Sequence, residues 1–171
     1  MSNSFSTNPI QEFDIVVIGS GPAGATTARF AAANGLSVLL VDKKQELGAP
    51  IQCSGAVSQN ALEQTGVIPS TEYILEDIYG FAIYNEKGEK KVIDYRTIKP
   101  DEYGHDAGLK PLGYVVDRRR FDRYLATQAE RAGVTIWLKT EARGYRVLDN
   151  GNCEVDLYKF NEPITIKAKV V

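Results

Sequence analysis

Phe13–Ile18 (Phe-Asp-Ile-Val-Val-Ile) is a nearly continuous β-branched run, the pattern of a parallel strand covered on both faces. Ala23–Ala33 is rich in alanine and follows Pro22, which suits a first helical turn; Asn34-Gly35 predicts the stop. Ser37–Val41 is a second buried run, so the first forty residues predict a right-handed strand–helix–strand unit. Lys43–Gln59 is polar and broken by Gly48, Pro50 and Gly55, which predicts a long loop. Ala56–Gln64 reads as a short helix ended by Gly66.

Two antiparallel strands are predicted over Tyr79–Tyr84 and Lys90–Tyr95, joined by the turn Asn85-Glu86-Lys87-Gly88, with an exposed loop over 96–111. Leu112–Val116 predicts a strand, and Asp117 can cap the helix after it. That helix carries Phe121, Leu125, Gln128/Ala129 and Ala132 on one face and ends at Gly133; Val134–Leu138 is again a buried run. The last thirty residues change period. Ala142–Leu148, Cys153–Phe160 and Ile164–Val170 are short strands separated by Asp149-Asn150-Gly151 and Asn161-Glu162-Pro163. In the second, Cys153, Val155 and Leu157 alternate with Glu154, Asp156 and Tyr158, which predicts one wet face. The fold expected is α/β: a Rossmann-like βαβ unit with a parallel sheet, a β-meander crossover and an inserted antiparallel β segment over 67–111. Residues 1–11 are polar and expected to be a disordered tail. The chain stops inside the apolar run Lys169-Val170-Val171, as a truncated domain would.

Composition narrows the function classes. Lys and Arg total 20 against 22 Asp and Glu, a formal charge of -2, so no nucleic-acid partner is expected. The cysteines, Cys53 and Cys153, are a hundred residues apart and His105 is the single histidine, so no metal site is expected. No secretory leader and no bilayer-length apolar run is visible, which suits a cytoplasmic protein.

Candidate chemistry lies at Gly19-Ser20-Gly21-Pro22-Ala23-Gly24. A Gly-x-Gly-x-x-Gly alone is weak, but this one follows a buried strand, opens a helix and has Asp42 at the end of the next strand. Gly19 permits the tight turn, Gly21 lets a pyrophosphate approach, and Gly24 lets helix pack against strand. The helix N-terminus offers N–H groups and the positive end of its dipole. Asp42 can accept both ribose hydroxyls and would repel a 2′-phosphate. Spacing alone leaves FAD and NAD both open.

Three segments extend this into a family resemblance: Asp14–Gly19 through Asp42-Lys43-Lys44; Glu46-Leu47-Gly48-Ala49-Pro50-Ile51-Gln52-Cys53-Ser54-Gly55-Ala56; and Gly113-Tyr114-Val115-Val116-Asp117-Arg118-Arg119-Arg120-Phe121-Asp122. With these the chain resembles the geranylgeranyl reductase family of FAD-dependent oxidoreductases, within the p-hydroxybenzoate hydroxylase-like fold group, and most of all its archaeal lipid-saturating members. The resemblance implies FAD as cofactor, with contacts at Gly19, Gly21, Ala23, Gly24, Asp42, Lys43, Cys53, Ser54, Ala56, Arg118 and Ala142. Ser54 departs from the family, which has glycine there. The resemblance also implies that 12–171 is the N-terminal part of an FAD-binding domain, and that 67–111 begins a substrate domain.

The activity implied is FAD-dependent reduction of isoprenoid carbon–carbon double bonds, in geranylgeranyl groups of archaeal-type membrane lipids. An electron donor, NAD(P)H or a ferredoxin-like carrier, and peripheral membrane contact go with it. A p-hydroxybenzoate hydroxylase-type monooxygenase and a non-catalytic FAD-binding fragment are the alternatives. Cys53 is the one candidate for a catalytic side chain, as a redox or substrate-guarding thiol; packing, with its backbone against FAD, is the competing role. Arg118, at a helix start where a cation is disfavoured, calls for an anionic or polar partner. Cys153 and Trp137 are expected in the core, and His105 in an exposed loop.

Overall fold

The computed structural model describes residues 10–50, 53–99, 110–160 and 162–171. The expectations for residues 1–9 of the tail and for His105 lie outside them. The chain divides into two compact units, one formed by residues up to Ala49 with Asp122–Val171, the other by Pro50–Phe121.

The first unit is built on one six-stranded mixed sheet. Its strands are β1 (Glu12–Ile18), β2 (Val38–Val41), β8 (Thr135–Trp137), β9 (Thr140–Val147), β10 (Cys153–Lys159) and β11 (Glu162–Val170), in the order β8-β2-β1-β11-β10-β9. β8, β2, β1 and β11 run parallel; β10 and β9 complete an antiparallel meander. β11 serves both halves: Glu162–Ala168 pairs antiparallel with β10, and Lys167–Val170 runs parallel to β1. Val16, Leu39 and Val41 share one core with Val155, Leu157, Ile166 and Ala168. β2 and β10 are three strands apart, so the sheet curls over and buries its own inner face. Val38 and Leu40, also fully buried, alternate to the other face.

Helix α1 (Pro22–Ala33) joins β1 to β2 and buries Ala25 and Ala28. Small side chains there let the helix axis lie close to the sheet. Asn34-Gly35 ends it as expected: Gly35 takes φ 83°, and the N–H groups of Gly35 and Leu36 donate to the carbonyls of Ala32 and Ala31. Asp14 ties the far end of β1 to the turn before β2, accepting from the Ser37 N–H (2.8 Å), the Ser37 hydroxyl (2.7 Å) and Lys169 (2.7 Å). These donors hold its carboxyl far below the usual carboxylate range.

The second unit has a three-stranded antiparallel sheet, β3 (Ala56–Ser58), β7 (Gly113–Val116) and β4 (Ile74–Ile78), in the order β3-β7-β4. It also has a separate two-stranded ribbon, β5 (Gly80–Tyr84) and β6 (Lys90–Asp94). One expectation changes here, and one strand appears that local pattern does not single out. Ala56–Ser58 is a strand and not a first helical turn, because Val57 pairs with Tyr114; α2 begins only at Gln59 and runs to Gln64, with Ser58 as its cap. Ile74–Ile78 is a strand without strand-like alternation, since its central residues are Leu-Glu-Asp; pairing with β7 decides it. The predicted loop after β6 starts with a short helical turn, α3 (Tyr95–Ile98), capped by Asp94. Asn85 closes the ribbon turn as predicted, its side-chain oxygen accepting from Lys87 and Glu89 N–H groups with Gly88 at φ 78°. Helix α4 (Arg118–Arg131) is capped by Asp117, which accepts from the Arg119 N–H at 2.9 Å, and buries Phe121, Leu125, Ala126 and Ala129.

Candidate dinucleotide site

β1 delivers the glycine turn and β2 delivers Asp42 side by side, because Ile18 pairs with Val41. Gly19 turns the chain at φ 102°, open to glycine at little cost, and its N–H donates to the Val41 carbonyl at 2.8 Å. A side chain at Gly24 would put its Cβ 1.9 Å from the Gly19 carbonyl oxygen, so helix–strand contact requires glycine there. At Gly21 a Cβ would meet nothing within 4 Å. Gly21 is the N-cap of α1, caps it with no side chain, and no acidic residue occupies the first turn. A twelve-residue helix thus directs its dipole and unpaired N–H groups, including that of Ala23, into open space. That arrangement fits a diphosphate.

Asp42 is almost fully buried at 7% exposure. Its main chain is clamped, its N–H donating to the Trp137 carbonyl and its carbonyl accepting from Thr140 N–H, both at 2.9 Å. Its Oδ2 accepts from Ser20 N–H at 2.8 Å and from the Ser20 hydroxyl at 2.6 Å; its Oδ1 accepts from Lys44 N–H at 2.9 Å. Burial opposes the charge, but the Ser20 hydroxyl and the Lys44 and Ser20 N–H groups outweigh it and hold the carboxyl below its ordinary value. Lys43 is exposed and lines a cavity of ≈ 520 Å³ with Gln45, Lys139, Glu141, Tyr158 and Phe160. Ala142 packs its side chain against the core from β9, the edge strand, leaving backbone as what it can offer a ligand.

Cys53, Ser54, Ala56 and Arg118 belong to the other unit. The second and third matching segments become neighbours there through antiparallel pairing of Ala56–Ser58 with Gly113–Val115. Start of β3 meets end of β7, so Cys53 lies beside Arg118. Gly55, at φ 80°, has no room for a Cβ, which would sit 2.4 Å from the Val116 carbonyl oxygen; Gly113 is likewise closed by the Val57 carbonyl oxygen at 2.4 Å. Ser54 is exposed and outside the left-handed region, so the turn depends on Gly55 and tolerates the hydroxyl next to it. The Cys53 thiol is exposed and accepts from Gly55 N–H at 3.4 Å. That contact, then the Arg118 guanidinium, lowers its pKa. Cys153 is buried as expected, and Trp137 packs against the core. Sequence reasoning missed Ser20. No local signal marks it: the Ile18–Val41 pairing sets Gly19 level with Asp42, and only the turn at Gly19 brings the Ser20 hydroxyl to the carboxylate.

Among the described residues no group of His, Cys, Asp and Glu could hold a metal, and no helix is long and apolar enough to cross a membrane.

A glycine turn with the spacing of a dinucleotide site, on a curled α/β sheet with a β-meander, defines a class, and comparison with known proteins agrees with it. Residues 14–171 match the family model described as FAD dependent oxidoreductase; the chain belongs to that family, and FAD is its cofactor. Within it, the chain is 36% identical over 160 residues to digeranylgeranylglycerophospholipid reductase 2 of Methanosphaera stadtmanae, covering 94% of this chain and 38% of that protein. It is 30% identical to the corresponding reductase of Thermoplasma volcanium over 95% of this chain and 39% of that one. A crystal structure of a geranylgeranyl bacteriochlorophyll reductase-like protein from Thermoplasma acidophilum superposes with a TM-score of 0.80 at 30% identity, over 94% of this chain and 38% of that one. The chain therefore spans about two fifths of the length of these relatives. The p-nitrophenol 4-monooxygenase of Pseudomonas putida, at 16% identity and TM-score 0.70, shares the fold.

Proposed function

We propose that the protein reduces isoprenoid carbon–carbon double bonds, in geranylgeranyl chains of archaeal-type membrane lipids. The observation carrying this is the similarity to digeranylgeranylglycerophospholipid reductases along 94–95% of the chain. It includes the Cys53–Ala56 and Gly113–Arg118 segments, which meet where β3 pairs with β7. Bound FAD supplies hydride chemistry; the protein binds, orients and excludes water. In this reading Gly19, Gly21, Ala23 and Gly24 hold the diphosphate, Asp42 and Lys43 the adenosine ribose, and Ala142 the adenine through its backbone. Cys53, Ser54, Ala56 and Arg118 take the flavin side. Residues 67–111 begin the substrate domain, a role supported by the apolar side chains that the β5–β6 ribbon leaves uncovered. NAD(P)H or a ferredoxin-like carrier supplies electrons, and a lipid substrate brings the protein to the membrane surface.

The test is anaerobic incubation of reduced FAD and a digeranylgeranyl lipid with two samples: this chain, and this chain joined to the remaining portion of a matched reductase. The joined protein should add about two mass units per reduced bond, and the chain alone none. Oxygen-dependent hydroxylation instead would favour the monooxygenase; no mass gain in the joined protein would defeat the reading.

Cys53 is the proposed reactive side chain, since an exposed thiol with a lowered pKa beside a cation is a ready nucleophile. Iodoacetamide should label Cys53 at neutral pH well before Cys153, and Arg118→Ala should slow that labelling severalfold. Equal labelling of the two cysteines would return Cys53 to a packing role.

A further inference from the structure

Ser20 and Asp42 form a buried pair, 3% and 7% exposed, inside the glycine turn. A carboxylate has about four lone-pair sites. The Ser20 N–H and hydroxyl fill both on Oδ2, at 2.8 and 2.6 Å, and the Lys44 N–H fills one on Oδ1 at 2.9 Å. The two backbone donors are fixed by the strand ends they follow. The Ser20 hydroxyl is a side-chain donor and can be removed without touching the backbone. It also closes the rotation that an aspartate carboxylate otherwise has about its last torsion.

We propose that Ser20 is a positioning residue that sets Asp42 to read one hydroxyl of the dinucleotide ribose, through the remaining lone pair of Oδ1, and not both. Bidentate capture of the diol, which an aspartate at this position allows in principle, would need Ser20 to release Oδ2. This inference rests on Asp42 as the ribose acceptor and not on the lipid substrate, so failure of double-bond reduction leaves it intact. The lowered pKa of Asp42 is consistent with it.

The experiment titrates this chain with ADP, 2′-deoxy-ADP and 3′-deoxy-ADP, following the Gly19–Gly24 and Asp42 amide signals by NMR. It also follows the Asp42 carboxyl signal against pH without ligand. In the natural chain one deoxy analogue should bind like ADP and the other about tenfold or more weaker, as expected for loss of one hydrogen bond to a charged group. Ser20→Ala should move the Asp42 titration upward and make both analogues weaker than ADP, because Oδ2 becomes free for the second hydroxyl. Ser20→Thr, which keeps the hydroxyl, should restore the natural pattern. Two weakened analogues in the natural chain, or two that match ADP, overturn the proposal. So does an unchanged Asp42 titration and ranking in folded Ser20→Ala. ADP that leaves the turn amides unmoved overturns the ribose reading and this inference with it.

Discussion

At the scale of single residues, glycines of one motif do different work. Gly24 is required by packing, because a Cβ there lies 1.9 Å from a backbone oxygen that cannot rotate away. Gly21 has open space around its Cβ position and an ordinary φ of -68°. Gly24→Ala should therefore destabilise the chain by about 3 kcal/mol or more, an overpacking cost. Gly21→Ala should change stability by less than about 0.5 kcal/mol while abolishing ADP or FAD binding. Urea unfolding and a binding titration on the two variants separate these roles. Equal stability loss in both would show that the distinction between them is mistaken. The turn at Gly19 and the close packing at Gly24 were legible in the sequence. Ser20 was not, since its significance arises only when the ends of β1 and β2 stand side by side.

At the scale of elements, local signals predicted well where backbone chemistry acts alone. The α1 stop at Asn34-Gly35, the Asp117 cap and the Asn85–Gly88 turn all depend on neighbours within a few residues. Strands with long-range partners were harder: Ile74–Ile78 and Ala56–Ser58 are strands because β7 lies between them. The β5–β6 ribbon has the opposite problem, a clear local pattern with too little to pack on. Phe81 shares a face with Ile93, and Tyr84 and Val92 lie on the other; Phe81 is 50% exposed, Tyr84 and Val92 62%. An isolated two-stranded ribbon is marginal in water. Amides of Phe81–Tyr84 and Lys91–Ile93 should then exchange orders of magnitude faster than those of β2 in this chain. They should slow when the remaining portion of a matched reductase is joined to it. Ribbon amides already as protected as Leu39 and Leu40 would remove the support for a covering domain.

At the scale of the whole molecule, the first unit's sheet is held at β1 by carboxylates that must stay ionised. Asp14 and Asp42 both have pKa values held below the ordinary aspartate range by the hydrogen bonds they accept. A carboxyl whose pKa falls on folding stabilises fully above its unfolded value and loses that contribution as pH drops through its folded one. Stability should therefore be nearly level from neutrality down to about pH 5 and fall steeply below about pH 4. Asp14→Asn should flatten that fall, visible as a smaller pH dependence of the urea midpoint. A midpoint that declines just as steeply in the variant would mean other carboxylates govern acid unfolding.

What the sequence by itself determined was the βαβ unit, its Gly19–Gly24 turn and the acid at Asp42, all set by periodicity and spacing within some thirty residues. The meander strands were equally plain, since period-two alternation needs no knowledge of partners. Only tertiary structure decided that β11 belongs to two pairings at once, and that β2 and β10 share a core across the curl of one sheet. It alone set Cys53 beside Arg118 and filled three of the acceptor sites of Asp42. The reason is physical: helix caps and tight turns are short-range hydrogen bonds written in adjacent residues. Strand pairing and the environment of a carboxylate depend on residues that only folding brings together.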